Sequence, residues 1–421
     1  MEDISYKKYL EAVNFIESIN INPNKNSLSR SVFPDIFVKR TRYLLDLVGS
    51  PDKDLKIVHI AGTSGKGSVS DLVQQQIVKN NIKAGVFTSP YAITSIEKIK
   101  TNGLYINPKK FTQLINNLKP YIKLMENNCP HGIPSYFEVF LAIALLYFKN
   151  EKCTWAIIET GIGGEHDSTN AIEDPKVTVV TNIGLDHTEI LGKTRSKIAR
   201  DKSGIAKKNA IFITSEKRPY LLKIIKDIAI KKGVSKFVTT KHFDDYVIQN
   251  KILASAILRE IGLNTFDNIE VSLPGRFEKV NSNPLIILDG AHNDDKISSA
   301  LNRLKQYKYK KLLIVFAVSA NKDMSKTIVK MVNVSDKIFI TKFNNQHRKA
   351  VSPKELRDKI LEINSNIACV TFNNSIDAVK AAISEADNND LILVLGSFFL
   401  IGEVRKLWYP EKFILDNRKS F

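Results

Sequence analysis

Long apolar runs are missing from this sequence, and none could carry a helix across a bilayer. The first residues, Met1-Glu2-Asp3-Ile4-Ser5-Tyr6-Lys7, lack the basic-then-apolar form of a secretory leader. A cytoplasmic protein without a membrane partner is expected. Cysteine is scarce: Cys129, Cys153 and Cys369 are scattered and show no metal-ligand spacing. That excludes a disulfide framework and fits a reducing compartment, with the thiols as buried packing groups. There is no internal repeat and no low-complexity tract, so a solenoid is excluded. There is also no Ser-His-Asp order tied to a nucleophile elbow, and no cysteine-nucleophile signature. Acidic residues are few beside the basic ones, 44 against 62, leaving a formal charge of +18. Such a field would suit nucleic acid or an acidic substrate. The lysines, however, are spread along the chain beside many Ile and Asn, and no recognised nucleic-acid motif accompanies them, so no nucleic-acid partner is expected.

What is present is the composition of a globular protein, 43% hydrophobic and 25% charged, over 421 residues. That length exceeds one compact core and predicts two or three domains. The chain is organised around Ile57-Val58-His59-Ile60-Ala61-Gly62-Thr63-Ser64-Gly65-Lys66-Gly67-Ser68. An apolar run stops at Gly62, a Gly-rich turn follows, and a helical pattern begins at Ser68 with Val69, Leu72, Val73 and Ile77. A second strand follows over 83–88. Strand, loop, helix, strand is the order of a phosphate-binding α/β unit. Glycines let backbone N–H groups turn inward around phosphate oxygens. The helix start adds its dipole, and Lys66 adds a mobile charge. The match to the standard P-loop is incomplete: Ile60 stands at the first glycine position, and Gly67 separates Lys66 from Ser68.

Residues 1–50 read as helical around a polar loop over 20–31. Helices are expected over 109–126, 137–148, 198–205, 219–232 and 250–261. Two further apolar runs end in polar groups, Trp155-Ala156-Ile157-Ile158-Glu159 before Thr160-Gly161-Ile162-Gly163-Gly164, and Val177-Thr178-Val179-Val180 before Asp186-His187. Parallel sheets place their sites at the carboxyl ends of strands. Ser89, Glu159 and His187 can therefore converge beside a triphosphate, a workable set for Mg²⁺, which takes few protein ligands. Taken alone, Glu159 also reads as a solvent-facing carboxylate, His187 as a structural histidine and Lys202 as a surface lysine. Leu273-Pro274-Gly275-Arg276 marks a boundary. A fresh α/β alternation follows, with strands over 285–289, 311–317, 337–341 and 391–396 and helices over 293–306, 324–332, 353–363 and 375–386. The expected fold is α/β: a P-loop-containing parallel-sheet ATPase domain over 1–273, a linker over 274–283, and a smaller Rossmann-like domain over 284–421.

The ordered motifs resemble the folylpolyglutamate synthase / dihydrofolate synthase family within the Mur ligase superfamily. They are Gly62-Thr63-Ser64-Gly65-Lys66-Gly67-Ser68, Thr88-Ser89-Pro90, Phe137-Glu138, and Glu159-Thr160-Gly161-Ile162-Gly163-Gly164 continuing to Asp167-Ser168-Thr169-Asn170. Then come Asn182-Ile183-Gly184-Leu185-Asp186-His187, Leu191-Gly192-Lys193-Thr194, Lys202-Ser203-Gly204-Ile205, Pro274-Gly275-Arg276, Asp289-Gly290-Ala291-His292-Asn293, Lys322-Asp323 and Gly396-Ser397. The resemblance covers nearly the whole chain.

It implies an ATP- and Mg²⁺-dependent ligase of folate biosynthesis, and a monomer is expected because the site is completed within one chain. Such an enzyme adds glutamate to a folate or dihydropteroate through an acyl phosphate. It further implies that 62–68 hold the triphosphate, with Asn250, Arg276 and Asp289 also contacting ATP. Ser89, Glu159 and His187 would bind Mg²⁺, and Lys202 would be carbamylated. Lys66, Lys202 and His292 would be the catalytic groups, with His292 and Ser397 facing the incoming glutamate. Residues from both domains would contribute, so closure is expected to accompany turnover. Three positions depart from the family pattern: Thr94 and Lys98 stand where arginines are usual, and Asp294 follows Asn293 where proline is usual. Two other readings stay open on the residues alone, a Mur-type ligase acting on another acid such as a cell-wall precursor or peptide, and a nucleotide-binding regulatory protein without turnover.

Overall fold

A computed structural model describes residues 3–19, 35–271, 273–320, 325–345 and 348–421. The polar loop expected over 20–31 and the Lys322-Asp323 motif lie outside the described residues. The chain divides into two units. The first comprises Met1–Ser89, Ser95–Ser272 and Leu415–Lys419, the second Pro90–Thr94, Leu273–Ile414 and Ser420–Phe421.

The strands of the first unit are β1 (Lys56–Ala61), β2 (Ala84–Phe87), β3 (Ile99–Thr101), β4 (Leu104–Tyr105), β5 (Trp155–Glu159), β6 (Val177–Val180), β7 (Ile211–Thr214) and β8 (Lys236–Thr239). Among the described residues they form one eight-stranded sheet in the order β4-β3-β2-β5-β1-β6-β7-β8. It is parallel from β2 to β8, with β3 and β4 added antiparallel at one edge. The central strands are buried on both faces, as continuous apolar runs require. One face packs Val58, Ile60, Val177 and Val179 against Val69, Leu72, Val73 and Ile77 of helix Lys66–Lys79, and against Leu253 and Ile257 of helix Tyr246–Glu260. The other face packs Ala61, Val180 and Phe212 against helices Arg195–Ser203 and Pro219–Lys231. The apolar segment expected over 137–148 is helix Tyr136–Asn150, started by a capping box of Ser135 and Glu138. Glu138 is buried and takes two 2.7 Å hydrogen bonds from Arg40.

The second unit holds β9 (Glu278–Ser282), β10 (Leu285–Asp289), β11 (Leu312–Phe316), β12 (Lys337–Ile340), β13 (Ala368–Thr371) and β14 (Leu391–Leu395), in the order β13-β12-β11-β14-β10-β9. All pairs are parallel except β9 with β10. Helices Asp294–Leu304, Ser325–Val332 and Pro353–Ile363 cover one face of this sheet. Helices Ser375–Glu385 and Phe398–Val404 cover the other.

Several expectations need correction. The segment 274–283 is not a free linker, because it contains β9, which pairs antiparallel with β10 through a bulge at Ile286/Ile287. Its polar sequence, Glu-Lys-Val-Asn-Ser, is that of an edge strand and carries no apolar run. The edge strands β8 and β13 escape the sequence pattern because they are four residues long with both ends exposed. The helix read from Ser68 begins at Lys66, and the one read from Asn250 begins at Tyr246 under an Asp245 cap. Of the three thiols only Cys153 is buried, and Cys129 and Cys369 are half-buried. Asp294, in place of the usual proline, opens helix Asp294–Leu304 and accepts Lys330 Nζ at 2.5 Å. A carboxylate suits a helix N-terminus. Among the described residues no helix is long and apolar enough to cross a membrane.

Candidate active site

The site grows from the carboxyl ends of β1, β5 and β6. Ile60 of β1 stands level with Glu159 of β5 on one side and Val179 of β6 on the other. The loops leaving these three neighbours therefore emerge together. The loop after β1 must turn sharply into helix Lys66–Lys79, and Gly65 makes the turn at φ +83°. A side chain there would put Cβ 2.6 Å from Asn250 Oδ1, and one at Gly62 would put it 1.8 Å from Thr181 Oγ1. Both positions require glycine on space as well as conformation.

The loop is clasped from the β6 side. Thr63 N donates to the Asn182 carbonyl at 3.0 Å, and Ser64 N to Asn182 Oδ1 at 2.9 Å. Thr181 Oγ1 donates to the Ser64 carbonyl at 2.6 Å, and Gly184 N donates to Thr63 Oγ1 at 2.8 Å. The Gly-rich loop and the β6 loop thus form one hydrogen-bonded body. Thr181 and Asn182 received no role in the sequence reading, although Asn182 lies within a motif that it singled out. Pairing across two loops leaves no local signal.

Lys66 opens the helix, with Nζ 3.2 Å from the Gly62 carbonyl and 3.9 Å from Glu159 Oε1. Glu159 is 3% exposed and accepts the Ser89 N–H on Oε2 at 3.0 Å. The structure thus brings Lys66, Ser89 and Glu159 together and removes the solvent-facing reading of Glu159. His187 lies beyond β6 at φ +51°, half-buried, where it precedes the short helix Thr188–Leu191. Its Nδ1 stands 3.9 Å from Glu189 Oε1.

Lys202 is not a surface lysine. It is 3% exposed, near the end of helix Arg195–Ser203. Burial, reinforced by the charge of Lys66, pushes its pKa down to about 7, against the opposing pull of Asp201, Asp186 and Asp167. The Gly-rich loop after Glu159 is tied to this helix, since Glu165 N donates to the Asp201 carbonyl at 2.7 Å. Asp167 holds the same loop, accepting Ile162 N at 2.8 Å and Thr169 Oγ1 at 2.6 Å. Thr169 Oγ1 in turn meets His59 Nε2 at 2.7 Å. Complete burial pushes the His59 pKa down to about 3, so the ring is neutral. The network assigns its proton to Nε2. His59 is not legible in the sequence, because a histidine inside an apolar strand carries no pattern of its own.

Among the described residues no three His, Cys, Asp or Glu side chains form a metal-holding group. A divalent ion bound by phosphates, waters and one or two protein groups needs no such cluster. The buried Glu159 carboxylate at the rim of a glycine cradle fits an ion of that kind.

In the second unit, Asp289 ends β10 and Gly396 follows β14, on adjacent parallel strands. Gly396 N donates to the Ala291 carbonyl at 2.9 Å, which joins the two strand ends. Asp289 accepts Ala291 N at 2.8 Å. Its pKa is pushed up to about 6 by burial, against the pull of Arg276, the Ala291 N–H and Arg303. His292 Nδ1 meets the Gly290 carbonyl at 2.8 Å, and its Nε2 lies 3.2 Å from Lys296 Nζ. Ser397 caps helix Phe398–Val404 by accepting the Phe399 N–H. The structure therefore groups Arg276, Asp289, His292 and Ser397 at one end of this sheet. Of the two arginine replacements, Thr94 is buried, and Lys98 is buried with Nζ 2.9 Å from Tyr136 Oη.

The chain matches two family models, the Mur ligase middle domain over residues 60–284 and the Mur ligase glutamate ligase domain over 275–398. It is 29% identical over 411 residues to a Bacillus subtilis (strain 168) protein named dihydrofolate synthase/folylpolyglutamate synthase. That match covers 87% of this chain and 94% of the relative. Among solved structures it resembles Escherichia coli FolC in complex with DHPP and ADP, with TM-score 0.76 and 26% identity, covering 88% and 92% of the two chains. It also resembles the Yersinia pestis bifunctional folylpolyglutamate synthase/dihydrofolate synthase complexed with AMPPNP and Mn ion. There the TM-score is 0.75 and the identity 25%, over 88% and 92% of the two chains.

Proposed function

The chain belongs to the Mur ligase family, and from that premise we propose that it joins glutamate, through its amino group, to the carboxylate of a folate or dihydropteroate at the expense of ATP. One observation carries this reading most directly. A glycine cradle clasped to the β6 loop stands beside a buried carboxylate and a buried lysine of lowered pKa. The named functions of the relatives supply the substrate class.

In the proposed reaction, an oxygen of the acid's carboxylate attacks the γ-phosphorus of ATP, and the bond to the β-phosphate oxygen breaks to release ADP. The amino nitrogen of glutamate then attacks the acyl carbon. An amide forms, inorganic phosphate leaves, and the amine gives up a proton. Gly62, Thr63, Ser64, Gly65, Lys66, Gly67 and Ser68 hold the phosphates, with backbone N–H groups and the Lys66 charge offsetting the charge that shifts during transfer. Asn250, which abuts Gly65, is assigned to the nucleotide, as are Arg276 and Asp289 of the second unit. His292 and Ser397 are assigned to the incoming glutamate, with His292 and Lys202 among the catalytic groups.

Mg²⁺ is assigned to Ser89, Glu159 and His187, and when bound it neutralises phosphate charge. The Ser89–Glu159 hydrogen bond holds the carboxylate in place for that role. Lys202 is assigned to carbamylation. A pKa near 7 leaves a large fraction of neutral amine at neutral pH. Its nitrogen can add to carbon dioxide and lose a proton, which replaces a cation by an anion beside Lys66. A monomer working in the cytoplasm completes the reading.

The deciding experiment is ADP release from purified protein with ATP, Mg²⁺ and glutamate, with dihydropteroate and a reduced folate tested in parallel. Glutamate-dependent release with either acid is the expected result. Silence with both, while ATP still binds, would shift the acid to another class and direct attention to the Thr94 and Lys98 positions.

A further inference from the structure

In the second unit the Arg276 guanidinium lies over the ring of Phe398, 4.3 Å from its centroid. Phe398 follows Ser397 and opens helix Phe398–Val404. The ring is only 9% exposed and has almost no freedom. A Cβ on Gly290 would stand 2.3 Å from two of its atoms, and one on Gly275 would stand 3.4 Å from a third. The turn after Asp289 is therefore shaped around this ring, and the turn bearing Arg276 lies in contact with it. The backbone there is braced as well, with Gly290 N donating to the Gly275 carbonyl at 2.8 Å. Arg303 in turn lies over Phe277, 3.9 Å from its centroid. Both arginines exert their charge on Asp289, so two stacked arginines share one half-buried carboxylate.

A long arginine side chain loses much rotamer freedom when it must hold one geometry. A fixed aromatic face removes part of that freedom before any ligand arrives. We infer that Phe398 is a positioning residue that pre-orients Arg276 for the nucleotide. Gly290 is a glycine because the ring occupies the space of its side chain, whereas Gly275 is held to glycine by its φ of +65° and by Ile401, whose Cγ2 a Cβ would meet at 2.8 Å. The inference rests on the assignment of Arg276 to ATP made above.

The test is a double-mutant cycle read as KM for ATP and kcat, with folding checked by thermal melts. Phe398→Met keeps apolar volume but has no ring face. It is expected to raise KM for ATP roughly 3- to 10-fold, with a smaller change in kcat. Phe398→Tyr restores the ring and is expected to restore KM. In an Arg276→Ala background, Phe398→Met is expected to add no further rise, because the group it positions is gone. An equal rise in both backgrounds would overturn the inference while leaving the Arg276 assignment standing. Arg276→Ala with an unchanged KM for ATP would overturn that assignment and this inference with it. If Phe398→Met does not fold, Gly290→Ala displaces the ring from the other side and is held to the same cycle.

Discussion

Lys66 Nζ stands 3.9 Å from Glu159 Oε1, and the other oxygen of that carboxylate accepts the Ser89 N–H at 3.0 Å. One buried carboxylate thus joins the phosphate-loop lysine on β1's side of the sheet to the loop after β2. Glu159 is nearly dry and the Lys66 side chain is 16% exposed, and their charges offset each other.

Glu159→Gln keeps an oxygen for the Ser89 N–H but removes the charge. Turnover is expected to fall by roughly 100-fold or more, with a raised Mg²⁺ requirement and an unchanged fold by circular dichroism. ADP release titrated against Mg²⁺ measures this. Activity equal to the parent protein would remove Glu159 from the metal site.

Lys202→Ala is expected to slow turnover by roughly 10–100-fold and to regain part of it when a small carboxylate such as acetate is added. The added anion would supply the charge that a carbamate on Lys202 would carry. A parent-like rate without acetate would rule out the assigned role, and a slow rate with no recovery would argue against an anion at that position.

Thr63→Val tests the clasp between the phosphate loop and the β6 loop. Valine keeps the shape but leaves the buried Gly184 N–H without its acceptor. A loss of about 1–3 kcal/mol in urea unfolding is expected, together with a higher KM for ATP. Parent-like values of both would show that the two loops hold their places without that bond.

Lys98 yields a prediction about pH. It is 5% exposed, and its Nζ lies 4.1 Å from the Tyr136 centroid and 4.3 Å from that of Phe140. Burial pushes its pKa down to about 7 against the opposing pull of Glu17, while in the unfolded chain it returns to the ordinary value of 10.5. Below pH 7 both states carry the proton, and the burial cost is present in full. Between pH 7 and 10.5 the unfolded state binds the extra proton, so this group's contribution to stability rises with pH. Lys98→Met has no such group. The stability of the parent relative to Lys98→Met is expected to increase between pH 7 and 9.5, read as the difference in urea midpoints. A difference that stays flat across that range would sink the prediction.

Much of this protein is determined by local sequence. Apolar runs are buried on both faces at the centre of a parallel sheet, so β1, β5, β6, β10, β11 and β14 are legible without coordinates. Gly62, Gly65 and Lys66 are legible because phosphate chemistry demands those residue types at that spacing. Glu159, Asp186 and Asp289 are legible because each closes a strand or the turn beyond one. Tertiary structure alone decided the rest. The edge strands β8, β9 and β13 exist because a neighbour offers free backbone groups, and their own residues are few and mostly half-buried or exposed. Lys202 reads as solvated in its polar helix. Only the packing of that helix against the sheet and the Gly-rich loop removes its water and lowers its pKa. The Thr63–Gly184 and Arg276–Phe398 contacts join residues more than a hundred positions apart, and no local pattern can encode such a meeting.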